Sequence, residues 1–447
     1  MKHLLRESKA TLVLALPLIA GQVSQMLMGV VDTFMIGRIG TVELAASTLA
    51  HTILHIPLMV AIGVSIGVSI KVSQARGAKS PLLAQEAGQY GFFLGVVIGL
   101  LTLLLSLLLL PALPYLGQDP LVTERMPVFF ILVSASMTAA AISMTSRSHA
   151  DAMAHPWPAF WILFGGVLLN VLLNWVFIDG HWGFAAMGLE GAGLATLIAR
   201  VCSVFALLWW MRKSKVMKPW IPKNWFHWPH RKGLANFWAI AWPAGLQVSA
   251  EISAFIAASL VIGSLGASAL AAHQVAITCV ATVFMIPLGI SMAVTVLSGE
   301  AWGARDLCRG RSILISAWMM GLILSAFFVL IFLGFNDVIP SWFLVQDEPL
   351  QIAAGLFLIA AFFQVGDHSQ IISSGVLRGY DDVRIPAWMT FAAHWLVGMP
   401  FGAVLCFGFK MGAAGMWWGL SAGLTLASFL LGRRAWILTR YHHEGES

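Results

Sequence analysis

The chain has 447 residues, of which 59% are hydrophobic and only 10% carry a charge. This composition, with a mean hydropathy of +0.84, excludes a water-soluble globule, because soluble domains carry far more charged residues. The formal net charge of +6 follows membrane topology, as the basic residues show below, so we expect no nucleic-acid partner.

Twelve apolar runs have the length of about 20 residues that a helix needs to cross the hydrocarbon core. They lie near residues 10–36, 44–70, 87–113, 126–146, 157–178, 191–211, 235–262, 269–297, 312–333, 350–375, 385–406 and 412–432. The first run is too long for a removable signal peptide and counts as a span. The sequence therefore predicts an all-α integral membrane protein with six spans in each half.

The two halves are related by an internal repeat. Seventeen of the 64 positions from 15 to 78 recur identically 226 residues later without a gap, against roughly one in twelve expected by chance. The matches include Pro17 with Pro243 and Gly63 with Gly289. We predict two six-helix lobes, residues 1–211 and 235–447, joined by a basic linker at 212–234.

The basic residues indicate the orientation, since short loops rich in Lys and Arg stay on the cytoplasmic side. The segment 212–232 holds seven such residues and no acid, so we place the linker and both termini in the cytoplasm. Because each half has an even number of spans, the halves enter the membrane in the same direction. Two such bundles rocking around a shared cleft suit a transporter, whereas a soluble enzyme or receptor has no use for the arrangement.

Apart from histidines, four acidic or basic residues fall inside the predicted spans, namely Asp32, Arg200, Glu251 and Asp367. Such residues are unfavourable in hydrocarbon unless they are paired or hydrated, so each is a candidate functional residue. Asp32 lies seven positions after Gln25, on one helix face that we expect to border a cavity. A carboxylate on that face could bind a cation or hold a proton.

Two further predicted spans carry oxygen-bearing side chains. Asn170 and Asn174 are four residues apart, and Thr196 lies on the following span. Amide and hydroxyl oxygens suit a hard cation such as Na⁺, although an Asn pair can equally join helices by hydrogen bonds. Arg200, one turn after Thr196, could pair with Asp32 or extend to the cytoplasmic surface, and the sequence favours neither.

The second half carries its own polar faces. Gln247 and Glu251 are four residues apart, and Gln364 is three residues before Asp367. The repeat is broken at these positions, because Gln25 corresponds to Glu251 and Asp32 to Ala258. The two halves have therefore divided the chemistry between them.

Several motifs together resemble the multidrug and toxin extrusion (MATE) transporters, and within them the NorM-like branch. The resemblance covers nearly the whole chain. It includes Pro17 and Asp32 in the first span, and it rests further on Asn170-Val-Leu-Leu-Asn174-Trp175, Gly191-Ala-Gly193-Leu-Ala-Thr196, the string LAAHQVA at 270–276 and the string LRGY at 377–380.

The resemblance implies a multi-pass inner-membrane antiporter that exports small lipophilic, often cationic compounds as Na⁺ or H⁺ enters, with no other cofactor. It places cation coupling at six residues, Asp32, Asn170, Asn174, Thr196, Glu251 and Asp367. Na⁺ could bind at the three acids. Phe363 stands where relatives can have a Tyr, so a Na⁺ site at Asp367 would lose one oxygen ligand.

We expect the substrate cleft to include Gln25, Arg200, Gln247, Phe363 and Gln364, and we expect a monomer surrounded by membrane lipid. Three alternatives stay open. A flippase for lipid-linked precursors would need several arginines or lysines in its cavity, and in the sequence only Arg200 qualifies. A facilitator-type sugar transporter would need a Gly- and Arg-rich loop after the second span. A membrane-embedded transferase would need a convergent catalytic His or Asp pair.

Overall fold

The computed structural model describes residues 2–115, 117–225 and 228–441, and within them twelve helices are long and apolar enough to cross a membrane. The predicted all-α fold with twelve spans is confirmed. In chain order they are α1 (Lys2–Gly37), α2 (Thr41–Gly77), α3 (Pro81–Leu109), α4 (Pro120–Ala152), α5 (Pro156–Asp179), α6 (Leu189–Lys213), α7 (Arg231–Gly263), α8 (Ala267–Gly303), α9 (Leu307–Gly334), α10 (Asp347–Gly379), α11 (Arg384–Gly408) and α12 (Gly412–Tyr441).

Most of the helices are longer than the apolar runs that predicted them. The two longest, α2 and α8, have 37 residues each, or about 55 Å at 1.5 Å per residue. That length exceeds the hydrocarbon core of about 30 Å, so their polar ends extend beyond it. Hydropathy detects only the apolar middle of each helix.

The long helices α2, α4, α8 and α10 all end in a similar way. After each of them one residue other than glycine adopts a left-handed conformation with φ between 53° and 65°, and these residues are Lys79, Ala154, Arg305 and Asp381. The next N–H then bonds a carbonyl five residues back, as from Ser80 to Ala75 and from Asp306 to Ala301, both at 2.9 Å. These bonds satisfy carbonyls that the helix end leaves free.

The chain folds into two compact units whose limits fall inside helices. Unit 1 comprises Met1–Ile19 and Leu246–Ser447, and unit 2 comprises Ala20–Gly245. α1 and α7 therefore each contribute to both units. The predicted lobes follow the sequence repeat, whereas the compact units divide the chain at other positions. The lobes stay a prediction.

In unit 2, the core is formed by apolar side chains of α1, α2, α4, α5 and α6, among them Met126 and Phe130. The predicted linker is also packed against this unit. Trp225 is buried and its ring lies 5.4 Å from that of Phe92, while Gln85 of α3 donates to the Pro219 carbonyl at 2.7 Å. Residues 212–225 of the basic segment are thus a folded part of unit 2.

In unit 1, the core surrounds Phe357, Phe363 and Trp417. One span differs from the expected regular helix, since α11 contains two π-helical stretches, Ala392–Gly398 and Val404–Gly408. α11 also approaches α12 closely along glycines, and a Cβ on Gly398 would lie 3.1 Å from the Gly419 carbonyl oxygen. Small residues permit such contact between membrane helices.

Two glycines matched by the repeat mark equivalent helix crossings. A Cβ on Gly63 of α2 would lie 2.8 Å from the Gly245 Cα in unit 2. A Cβ on Gly289 of α8 would lie 2.9 Å from the Ile19 backbone nitrogen in unit 1. In unit 2, α2 crosses α7, and in unit 1, α8 crosses α1. Only glycine leaves room for these two crossings.

We expect Gly289→Val to lower the melting temperature of the purified protein by several degrees, because overpacking at a backbone contact destabilises by about 1–3 kcal/mol. Gly355→Val is the matched control, since no atom lies within 4 Å of a Cβ there. Thermal unfolding in detergent measures both variants. Equal melting of the two variants would contradict the proposed crossing.

Candidate functional site

A chain of hydrogen bonds links Asp32 to three predicted partners in unit 2. The Asn174 side-chain amide donates to the Asp32 Oδ1 at 2.7 Å and to the Asn170 Oδ1 at 3.3 Å. The Asn170 amide in turn reaches the Thr196 Oγ1 at 3.4 Å. Helices α1, α5 and α6 thereby bring the four predicted residues of the N-terminal half into one cluster.

Three members of this cluster are buried and Asp32 is half-buried, and one oxygen of the cluster has no protein partner. Asn170 and Asn174 are at most 1% exposed, and among the described residues nothing donates to the Asn174 Oδ1. A buried acceptor without a donor is unfavourable by about 1–3 kcal/mol. Together with the Asp32 carboxylate, the free oxygen suits a bound cation, or it can accept the hydrogen of a protonated carboxyl group.

Arg200 takes neither of the two positions that the sequence left open. Its Nη1 donates to the Ser136 Oγ of α4 at 2.9 Å and lies 3.9 Å from the Met137 Sδ. Within the described ranges no ion pair closer than 4.0 Å joins it to Asp32. Its charge nevertheless acts on Asp32 electrostatically. Arg200 is therefore a fixed positive charge beside the cluster, held by a buried serine.

The two predicted acids of the C-terminal half lie together in unit 1. The Gln370 amide donates to the Glu251 Oε1 at 3.1 Å, whereas no hydrogen bond to the Asp367 carboxylate is present in the described part of the chain. Asp367 is 3% exposed, and the two acids repel each other electrostatically. A proton or cation bound at this pair would relieve that repulsion.

Gln247 of α7 joins three helices one turn away from Glu251. Its amide donates to the Ser374 Oγ at 3.0 Å and to the Thr390 Oγ1 at 3.1 Å. Its Oε1 accepts from Arg378 Nη2 at 3.2 Å. Gln247 is 2% exposed, so each of these partners depends on it in the absence of water.

The other predicted cleft residues have different environments. Phe363 is buried between the rings of Phe255 and Trp417, at 6.0 and 5.6 Å. Gln364 is fully buried, and both its side-chain polar atoms lack a protein partner among the described residues. Gln25 is exposed on α1. Their predicted contact with substrate stays a prediction.

Sequence reasoning missed two buried arginines, Arg147 of α4 and Arg378 of α10, each 6% exposed. Arg147 pairs with Asp151 at 3.5 Å, and Arg378 bonds Gln247. The sequence indicated only Arg200 as a buried arginine, and this count was an argument against the flippase. The count was too low. The repeat matches Arg147 with Arg378 and contained the signal, but both lie at helix ends, where a basic residue usually reaches the surface.

Twelve spans, an internal repeat and two buried polar clusters, one in each unit, define a multi-pass membrane transporter. The MatE family model matches residues 17–176 and 243–404, which together exceed half of the chain. The chain belongs to the MATE family and is a transporter, not an enzyme.

Individual relatives agree with this assignment. Probable multidrug resistance protein NorM of Pseudomonas putida is 32% identical over 95% of this chain and 93% of its own length. A protein of the same description from Xylella fastidiosa is 33% identical over 96% and 91%. Among solved structures, the crystal structure of the Vibrio cholerae MATE transporter VcmN in the bent form superposes with a TM-score of 0.86 at 20% identity, covering 99% of this chain and 100% of that one.

We expect Gln247→Leu to lower both the melting temperature and drug efflux. Leucine would leave Arg378, Ser374 and Thr390 without their partner, and each unpaired buried group destabilises by about 1–3 kcal/mol. Gln274→Leu, the same change at an exposed position of α8, is the control. Melting temperatures that agree between Gln247→Leu and the control would remove Gln247 from its proposed role.

Proposed function

We propose that this transporter is a cation-coupled antiporter that exports lipophilic, often cationic compounds by alternating access. Family membership and the multidrug resistance descriptions of its relatives support the substrate class. The half-buried acids Asp32 and Glu251 and the buried Asp367 would attract cationic substrates and bind the coupling ion. Substrate and coupling ion would then compete, so that binding of one promotes release of the other.

The bond between Asp32 and Asn174 is the observation that carries the proposal. The Asn174 amide can donate to the ionised Asp32 carboxylate, and its oxygen can accept from the protonated carboxyl group. The neighbouring oxygens of Asn170 and Thr196 extend the polar surface. Asp32 is therefore our main candidate for the coupling residue.

We propose that the coupling ion at Asp32 is a proton. The fixed charge of Arg200 disfavours the addition of either a proton or Na⁺ to Asp32, but Na⁺ also needs a shell of several oxygen ligands, whereas a protonated carboxyl group needs only one acceptor. The acid pair in unit 1, with Phe363 in place of an oxygen ligand, likewise offers few ligands for Na⁺. Na⁺ coupling remains the alternative that experiment distinguishes.

The cellular setting is part of the proposal. We place the transporter in the inner membrane as a monomer, and the basic linker with the distribution of Lys and Arg supports a cytoplasmic position for both termini. A lipid-linked precursor flippase is less well supported, because Arg147 and Arg378 already bond protein groups. They offer little free charge for an anionic head group.

We expect Asp32→Asn to abolish ethidium efflux and drug resistance while expression stays normal, because asparagine retains the hydrogen bond but cannot exchange a proton. Efflux from proteoliposomes, driven by a pH gradient or by a Na⁺ gradient imposed separately, measures this. Asp179→Asn, at an exposed position at the end of α5, is the matched control. Full resistance in Asp32→Asn would exclude Asp32 from coupling.

Arg200→Gln provides a test of the coupling ion. Removing the fixed charge should raise Na⁺ affinity at Asp32 and make efflux responsive to a Na⁺ gradient, while Arg200→Lys, which keeps the charge, should not. Na⁺ binding by isothermal titration and gradient-driven efflux report the change. Na⁺-driven efflux already present in the unmodified protein would contradict the proposed proton coupling.

A further inference from the structure

A groove lies between α9, α10 and α12 of unit 1, apart from the acid pair and the Gln247 contacts. It encloses about 300 Å³, and its lining includes Trp318, Gly321, Ser373, Phe429, Gly432 and Arg433. Apolar side chains at its rim face outward, since Leu322 is 56% and Phe429 65% exposed. On a membrane-spanning helix, such exposed apolar side chains contact lipid.

Packing fixes the shape of this groove. A Cβ on Gly321 would lie 2.5 Å from the Ile372 Cδ1, so a larger residue at that position would displace the Ile372 side chain of α10. The Trp318 indole N–H donates to the Ser373 Oγ at 3.0 Å, which holds the ring against α10. The concave surface is therefore built into the helix packing.

One end of the groove carries positive charge. On α12, Phe429, Gly432, Arg433 and Trp436 lie on one face, because they are three or four residues apart. Arg311 of α9 lies over the Trp436 ring at 4.6 Å, and Trp436 stacks on Trp318 at 6.2 Å. The rings thus connect the groove floor to Arg311.

These two arginines differ from their neighbours in having no acid. Arg434 pairs with Asp382, and Arg309 pairs with Glu7 at 3.4 Å. Within residues 2–115, 117–225 and 228–441, no carboxylate forms an ion pair with Arg311 or Arg433. The exposed Arg433 guanidinium and the half-buried Arg311 are therefore available to an anion.

The position along the helices suits a phospholipid head group. Arg433 lies eight residues before Tyr441, or roughly 12 Å from the end of α12, and Arg311 is close to the start of α9. Both ends are cytoplasmic in the predicted orientation. Arginine and tryptophan at that depth are typical of the boundary between acyl chains and head groups.

We propose that this groove binds one anionic glycerophospholipid of the cytoplasmic leaflet. Its acyl chain lies against Trp318, Gly321 and Phe429, and its phosphate lies between Arg433 and Arg311. The apolar floor open to the hydrocarbon favours a lipid over a soluble anion, and basic sites between helices on the cytoplasmic side bind such head groups in other membrane proteins. The bound lipid joins α9 to α12 and stabilises unit 1.

Native mass spectrometry of the purified full chain, titrated with phosphatidylglycerol or phosphatidylcholine, tests this. We expect tighter binding of phosphatidylglycerol. Arg433→Gln should weaken it about fivefold, since each basic residue contributes about 1 kcal/mol. Arg433→Gln with Arg311→Gln should weaken it about 25-fold by the same relation. Arg212→Gln, at an exposed arginine of unit 2, should leave the affinity unchanged.

A groove-filling variant separates the acyl-chain site from the charge. Ser428→Phe should remove binding of phosphatidylglycerol without altering Arg433, and its melting temperature without lipid reports whether it folds. Equal affinity for the two lipids, or unchanged affinity in the double arginine variant, would overturn the proposal. Competition by millimolar glycerol 3-phosphate as strong as that by the lipid would also overturn it, since it would indicate a soluble-anion site.

Discussion

A polar group inside a membrane-spanning bundle must find its partner within the protein, because hydrocarbon offers none. Most buried groups in this transporter satisfy that constraint, as the bonds of Asn174 to Asp32 and of Gln247 to Arg378 illustrate. The exceptions are informative. The Asn174 Oδ1 and both polar atoms of Gln364 are buried without a protein partner, and they lie beside or on the same helix face as the acids. A coupling ion or substrate would supply the missing partner at these positions, whereas other unpartnered atoms, such as those of Ser146 and His149, belong to no proposed site.

The same constraint explains which parts of the fold the sequence could predict. Twelve spans were predictable because a helix in hydrocarbon must be apolar over its full crossing length. Their ends were not, since α2 and α8 continue as polar helix outside the apolar core. The π-helical stretches of α11 and the division of α1 between units arise from contacts between helices distant in the chain. No local pattern in either helix records those contacts.

The candidate sites were predictable to a different degree. Asp32, Glu251 and Asp367 could be found because a carboxylate inside an apolar run is rare and unfavourable. Three polar partners could not be found: Gln370 for Glu251, Ser136 for Arg200 and Thr390 for Gln247. Polar residues are common in spans, and their role depends on how each helix is rotated toward its neighbours. Arg200 shows the limit most clearly. Its place in the span was evident, but a serine on α4 decides its direction.

Positions matched by the repeat keep the same helix packing at one pair of residues and have different polar contacts at another. Gly63 and Gly289 keep equivalent crossings in the two units, whereas Gly21 and Gln247, also equivalent in the repeat, differ. Arg147 lies against Gly21 and pairs with Asp151 of its own helix, while Arg378 bonds Gln247 and leaves Asp382 to Arg434. Glu251 lies one turn from Gln247 on α7 and interacts electrostatically with Arg378. The C-terminal half thus places its acid one turn from a contact between helices that has no counterpart at Gly21 in the described part of the N-terminal half.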